Sequence, residues 1–333
     1  MGRFAHYMVV KSAVVGYTWD MIYARPSLTH DPDTLPRMPT WVTSARPETP
    51  EDVAFLSGAA LATLHVVVGR EDVPQALLRE RLALQAAEAC VGYSGRPERA
   101  GELRDAVHLL RPDDLPGPAG EIYLAWRRAV ERSISIKALH RALPGHAAEQ
   151  IATWLDCFEQ SDRCDRRAVG QGGHIARASA TLETVFSQTP HEEATALIHA
   201  DAVLATALGW EYVVPLLGVG LKRRDLRKSG EELRLACHQA VIRSASEAVR
   251  LAVDLTHRAA RLQGIAHKLR AKGAGAAVEI FLARDAVTPA ALASPARGIG
   301  LSDRAARRLC DRLVELGVVQ ELSGRATFRL YGV

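Results

Sequence analysis

"LSDRAARRLCDRLVELGVVQELSGRATFRLYGV", residues 301–333, decides how this chain reads. It opens with helix signals: Ser302 as a cap, Asp303 in the first turn, and Gly317 where a helix would stop. On a helical wheel Ala305, Leu309, Leu313 and Leu316 fall on one side. Arg304, Arg307 and Arg308 fall opposite, with Arg312 at the margin. Alternation then replaces helical spacing. Val318, Gln320 and Leu322 share one side of a strand, and Ala326, Phe328 and Leu330 one side of another, joined at Ser323-Gly324-Arg325.

Two more helices precede this stretch. Ala274–Ala283 is amphipathic with Val278, Phe281 and Leu282 inward, and Thr288–Pro295 is a short helix capped by Thr288 and opened by Pro289. Three helices followed by a hairpin predict a winged helix over residues 274–333. In DNA-binding winged helices the third helix enters the major groove and the wing meets a phosphate or the minor groove. Arg304, Arg307, Arg308, Arg312 and Arg325 are therefore the candidate DNA-binding residues. The same fold also docks proteins, and Asp303 and Asp311 near the arginine face weaken attraction for phosphate. Double-stranded DNA and a protein partner both stay open.

Upstream, nearly everything reads as helix. Thr49-Pro50-Glu51-Asp52 signals a start, and Val53, Leu56, Ala60, Leu64 and Val67 follow at helical spacing. Further helices are predicted over residues 75–93, 98–110, 121–131, 175–188 and 191–208. Ser229 with Glu232 forms a capping box for one more, and Ser246 starts the next. The stretch "SIKALHRALPGHAAEQIATWLDCF" has a helix-turn-helix outline. Its second helix offers Glu149, Gln150, Thr153 and Asp156 outward and no cation, so it reads as a plain helical hairpin.

The expected architecture is all-α. Residues 1–30 form a weakly ordered extension and 31–50 a proline-rich connector. Residues 51–272 form a helical domain, joined at a Lys272–Gly275 hinge to the winged helix of 274–333.

Composition bounds the class. Of 333 residues, 48% are hydrophobic and 24% charged, as in a soluble globular protein, while aromatics at 5% leave Ala, Leu and Val to build the core. The net charge of +4 is too mild to argue for nucleic acid by itself. Five cysteines without a close pair suit reduced thiols, not a disulfide framework or a zinc ribbon. No membrane span and no signal peptide is expected, and the chain reads as cytoplasmic.

Other motifs weigh little. Lys222, Arg223, Arg224, Arg227 and Lys228 surround Asp225 and read as a solvated loop. "PHEEATALIHAD" invites a metal reading from His191, His199 and Asp201, but Thr195 stands where a zinc helix needs its second histidine. No catalytic residue, cofactor or metal is assigned, and an enzyme with a dispersed site is a distant third reading.

"PEDVAFLSGAALATLHVVV", "QALLRERLALQAAEACVGYSGRPERAGELRDAVHLLRPDDLPGPAG" and "KLRAKGAGAAVEIFLARDAVT", together with residues 301–333, resemble a bacterial family, domain of unknown function 1403. The resemblance runs from about Asp31 to Val333 and implies no activity and no catalytic residues. The expected function is that of a DNA-associated protein, a regulator or a plasmid- or chromosome-maintenance accessory. The helical domain would then serve self-association or partner binding.

Overall fold

Thr49 begins the first long helix as its sequence predicts. Its hydroxyl accepts from the Asp52 amide at 3.1 Å, and the Asp52 carboxylate accepts from the Thr49 amide at 3.0 Å. The structure is a computed structural model. It describes residues 32–111, 113–156, 173–266, 268–269, 273–294, 301–325 and 327–333. The expected extension of residues 1–30, Cys157, Cys164, most of the glycine-rich loop at 161–174 and Lys272 of the hinge lie outside them.

Fourteen helices occur among the described residues. They are α1 (Thr40–Thr43), α2 (Pro50–Val68), α3 (Gln75–Tyr93), α4 (Ala100–His108), α5 (Gly117–Glu131), α6 (Ile136–Ala142) and α7 (Ala148–Asp156). After these come α8 (His174–Gln188), α9 (Glu193–Ala207), α10 (Leu217–Gly220), α11 (Gly230–Ala266), α12 (Ala274–Ala283), α13 (Pro289–Ala293) and α14 (Asp303–Glu315). Two short strands, β1 (Gln320–Glu321) and β2 (Tyr331–Gly332), pair antiparallel. The all-helical reading holds, and Pro32–Val333 forms one compact unit.

The longest helix, α11, has 37 residues where two helices were expected. Ser246 does not start a helix. Its hydroxyl donates to the Ile242 carbonyl at 2.7 Å, one turn back, so the residue is accommodated mid-helix without a break. Ala236, Ala240, Ala245, Ala248, Ala252 and Ala259 are buried along α11. Alanines there let α2 and α8 pack closely against it.

α2 is long and apolar enough, by length and composition alone, to cross a membrane, although no span is expected from the sequence. Its Val53, Leu56, Ala60, Leu61, Leu64 and Val67 are buried in the protein core. Phe55 and Val66 lie exposed on its other side.

The short α10 is wedged into the core, and two glycines make room. A Cβ on Gly218 would lie 2.5 Å from the Trp126 ring, and one on Gly220 would lie 2.4 Å from the Ala240 carbonyl oxygen. Asp201, fully buried, accepts backbone hydrogen bonds from Leu216 (3.1 Å), Leu217 (2.7 Å) and Gly218 (2.9 Å). This carboxylate satisfies the free amides at the start of α10, which have no water to turn to. Burial pushes its pKa up to about 7, against the pull of the three amides.

Packing continues across the expected boundary at 272–274. Val278, Phe281, Leu292, Leu309 and Leu313 join the same hydrophobic cluster as the helical body, and α12 lies against α3 and α11. Buried charges cross there as well. Asp285 and Glu80, 0% and 3% exposed, sit between α3, α4, α5 and the end of α12.

Candidate nucleic-acid interface

Ser302 caps α14 by accepting from the Ala305 amide at 3.3 Å, and Gly317 takes a left-handed φ of 66° just past its end. The buried stripe is Ala306, Leu309, Cys310 and Leu313. The expected Ala305 and Leu316 are only half-buried, so the inward face is turned slightly from the wheel. The reason is that α14 packs on α13 and β1 together, and a two-sided contact takes residues at i, i+3, i+4 and i+7.

Arg304, Arg307, Arg308 and Arg312 are all exposed, but they divide into two rows. Arg304, Arg308 and Arg312 stand four residues apart on the outward face. The second row is Asp303, Arg307 and Asp311. Arg307 pairs with Asp303 at 2.8 Å, one turn away, so this row is largely neutralised within the helix. Arg312 reaches Glu315 at 2.9 Å, at the far end of the first row.

The row of Asp303, Arg307 and Asp311 lines a cleft of about 680 Å³. Its other walls are His108–Arg111 at the end of α4, the start of α13, and Thr327–Arg329 before β2. Phe328 projects there 74% exposed, at a positive φ of 57° that aromatic residues rarely adopt.

The hairpin differs from its expected form. Pairing is Gln320 with Gly332 and Glu321 with Tyr331, the Leu322 amide donates to the Leu330 carbonyl at 2.7 Å, and a long loop joins the two strands. Ser323-Gly324-Arg325 is therefore one bend of that loop and not a tight turn. The Glu321 carboxylate gathers the bend by accepting from the amides of Ser323 and Gly324, both at 2.9 Å, and from the Ser323 hydroxyl. Those hydrogen bonds, the Ser323 hydroxyl first, hold the Glu321 carboxyl below its usual range. β2 also bridges Val287 on its other side, through amide–carbonyl bonds of 2.8 and 3.0 Å.

Arg325 does not stand free at a tip. Its guanidinium pairs with Asp105 of α4 at 2.5 Å. The loop is thereby turned back onto the helical body, and Arg325 joins Arg307 and Arg312 as the third of the five candidate arginines held in an intramolecular pair. No pattern in the sequence linked these two residues, which are 220 positions apart.

The remaining candidates settle into structural places. Lys222, Arg223, Arg224 and Arg227 are exposed, and buried Asp225 accepts from the Lys228 ammonium at 2.7 Å. His199, which the sequence grouped with His191 and Asp201, is fully buried with Nδ1 on the Thr195 carbonyl at 2.9 Å. Asp201 is occupied by α10. Among the described residues no three His, Cys, Asp or Glu side chains gather as a metal cage would require. Cys90, Cys237 and Cys310 are free and buried, and burial lifts each thiol to about 12.

Residues 26–333 match the family described as "Protein of unknown function (DUF1403)". The chain belongs to that family. The match begins a few residues before the Asp31 expected from the sequence and takes in the whole helical body and C-terminal segment of this DUF1403 protein. No curated protein and no solved structure matches it.

Proposed function

We propose that this DUF1403 protein associates with double-stranded DNA through a C-terminal winged helix whose third helix is α14. The observation that carries the reading is the exposed row of Arg304, Arg308 and Arg312, set apart from the row that Asp303 and Asp311 neutralise. Arg304 and Arg308 form no ion pair among the described residues and stand one helical turn, about 6 Å, apart along the axis, so both can face phosphates or base edges, while Glu315 holds Arg312 at the end of the row. The order of elements supports the fold. α12, the Val287 bridge, α13, α14, β1 and β2 follow one another, with β2 paired between β1 and Val287. This is the arrangement by which a small hairpin closes over a three-helix unit. Arg325, paired with Asp105, contributes less than its sequence position suggests.

The test is binding of the full chain to random duplex DNA over a salt series. Phosphate contacts give a log–log slope of about −0.9 per neutralised phosphate. A slope corresponding to two or three phosphates is expected, and no binding at low salt would remove the reading.

A second reading, protein docking by the same segment, is favoured by the cleft beside α14. There Phe328 lies exposed next to Leu109, Leu110 and Pro289, which suits an apolar side chain better than a phosphate. On the DNA reading the molecule is a cytoplasmic regulator or maintenance accessory whose helical body self-associates or binds a partner; on the docking reading it is an interaction scaffold.

A further inference from the structure

A second cleft, of about 450 Å³, lies in the helical body between α5, the α6–α7 turn and the start of α9. It shares no lining residue with the cleft beside α14. Its polar end is assembled from distant segments. His146 Nε2 lies 2.7 Å from Oε2 of Glu192, and the Thr195 hydroxyl donates to the same oxygen at 3.0 Å. Behind it, the His146 ring meets the buried Trp154 ring edge-on at 5.3 Å, and Trp154 meets His199 the same way at 4.7 Å. The Trp154 N–H is held by Gln188 at 2.7 Å. The imidazole is thus fixed in place at the cleft, its side chain 11% exposed. Nε2 of His199, buried one turn beyond Thr195, has no hydrogen-bond partner among the described residues.

The opposite wall is apolar, formed by Leu124 and Ala125 of α5 with Leu143 of the turn. Arg128, one turn beyond Leu124, enters the same cleft half-buried. It forms no ion pair among the described residues, whereas Glu192 already holds two donors and Glu121 is exposed to water. Arg128 therefore lines the cleft without a carboxylate partner among the described residues, its guanidinium still reached by water. A partly desolvated guanidinium binds a carboxylate in a two-pronged geometry. The neighbouring Glu121 and Glu192 would repel a dianion, and the apolar wall selects for a carbon body.

From this geometry we infer that the cleft is a binding site for a small organic monocarboxylate. Its carboxylate pairs with Arg128, its body lies on Leu124, Ala125 and Leu143, and its far edge reaches His146. No local pattern marks it, because the site joins residues from three separate segments.

Benzoate added to the full chain tests this, followed by NMR of the His146 ring and the Trp154 indole. Saturable shifts with a Kd of about 1 mM or tighter are expected. Arg128→Gln should weaken binding at least about tenfold, and Ala125→Trp, which fills the cleft, should remove it. Thermal melting of Arg128→Gln should match the parent, since that side chain holds no ion pair. Inorganic phosphate, the second probe, should shift neither signal. Absence of saturable shifts with benzoate, shifts that survive Arg128→Gln, or equal shifts with phosphate would each overturn the assignment.

Discussion

Asp285 and Arg104, 181 residues apart in the chain, meet in a two-pronged ion pair with oxygens 2.6 and 3.0 Å from the guanidinium. Arg81 Nε lies 2.6 Å from the same carboxylate, off the alignment of a hydrogen bond, while its Nη2 donates to the Val333 carbonyl at 2.8 Å. Next to this set, Glu80 accepts from the Asp285 amide at 2.9 Å and pairs with Arg284 and Arg127 at 2.6 and 3.2 Å. Burial alone would raise the Asp285 carboxyl. The Arg104 hydrogen bonds and the Arg81 charge outweigh it and hold the carboxyl below its usual range. The C-terminal segment is therefore fixed to the helical body by matched buried charges as well as by apolar contact. In the sequence α14 lies between these two anchors, Asp285 and Val333.

Breaking that pair should be costly. Asp285→Ala leaves Arg81 and Arg104 buried without a counter-charge, and a loss of about 3–5 kcal/mol is expected in urea unfolding. Changing Arg104 to Met and Asp285 to Leu together should cost less than the sum of the single changes. Additive costs in that double-mutant cycle would mean that the two side chains are not coupled.

The two arginine rows of α14 should separate in binding. Arg304→Ala with Arg308→Ala should weaken duplex DNA binding by about 1–3 kcal/mol for each arginine that reaches a base edge. Arg307→Ala should change it little, because Asp303 already holds that guanidinium. Arg325→Ala should act on the loop it ties to Asp105, read as faster proteolysis of residues 322–330, more than on DNA. Fluorescence anisotropy at two salt concentrations checks the binding effects, and limited proteolysis checks the loop. An Arg307 effect larger than that of the Arg304 and Arg308 pair would reverse the assignment of the faces.

Gly220→Ala should destabilise by about 1–3 kcal/mol or more, since its Cβ would strike the backbone of α11 and not a side chain that could turn away. Gly264→Ala provides the contrast. Nothing lies within 4 Å of its added Cβ, and it is within a helix, so a gain of about 0.5–1 kcal/mol is expected. Thermal melting of the two variants reads the difference directly.

Acid should weaken the fold through its buried histidines. Burial holds His199 down to about 4, and His108 likewise. Between that value and about 6.5 the unfolded chain binds protons that the folded chain refuses. Stability is then full above about pH 6.5 and falls as pH drops towards 4, by up to roughly 3 kcal/mol for each histidine. Asp201 works in the opposite sense and over another window. Its raised pKa of about 7 makes its contribution greatest below the ordinary carboxylate range and lost as pH rises through 7. Melting of His199→Gln from pH 4 to 7 should show a shallower slope than the parent. An unchanged slope would remove His199 from the account.

Local signals settled the elements. Thr49, Thr288 and Ser302 each cap the helix that their spacing announces, and Gly317 ends α14 in the left-handed conformation that only glycine reaches without cost. The information lies within a few residues, so it is legible in one sequence. Ser246 marks where this breaks down. A serine reads equally as a cap or as a mid-helix residue bonded to the carbonyl four positions back, and its packing in α11 chose the second.

The sequence by itself determined the helical periodicity, the caps and the set of exposed arginines on α14, because each depends on neighbours three or four residues away. Only the tertiary structure decided which arginines are free. Arg325 meets Asp105, and Arg284 meets Glu80, across separations that no local pattern encodes. The same holds for the cleft of His146, Glu192 and Arg128, and for α10, whose buried amides are met by Asp201 from the preceding helix. Long-range charge pairing depends on where helices cross, and crossing is fixed by the close packing of alanine- and glycine-lined surfaces such as those of α11 and α10. A chain's order of residues states the inventory of charges, and the packed interior assigns their partners.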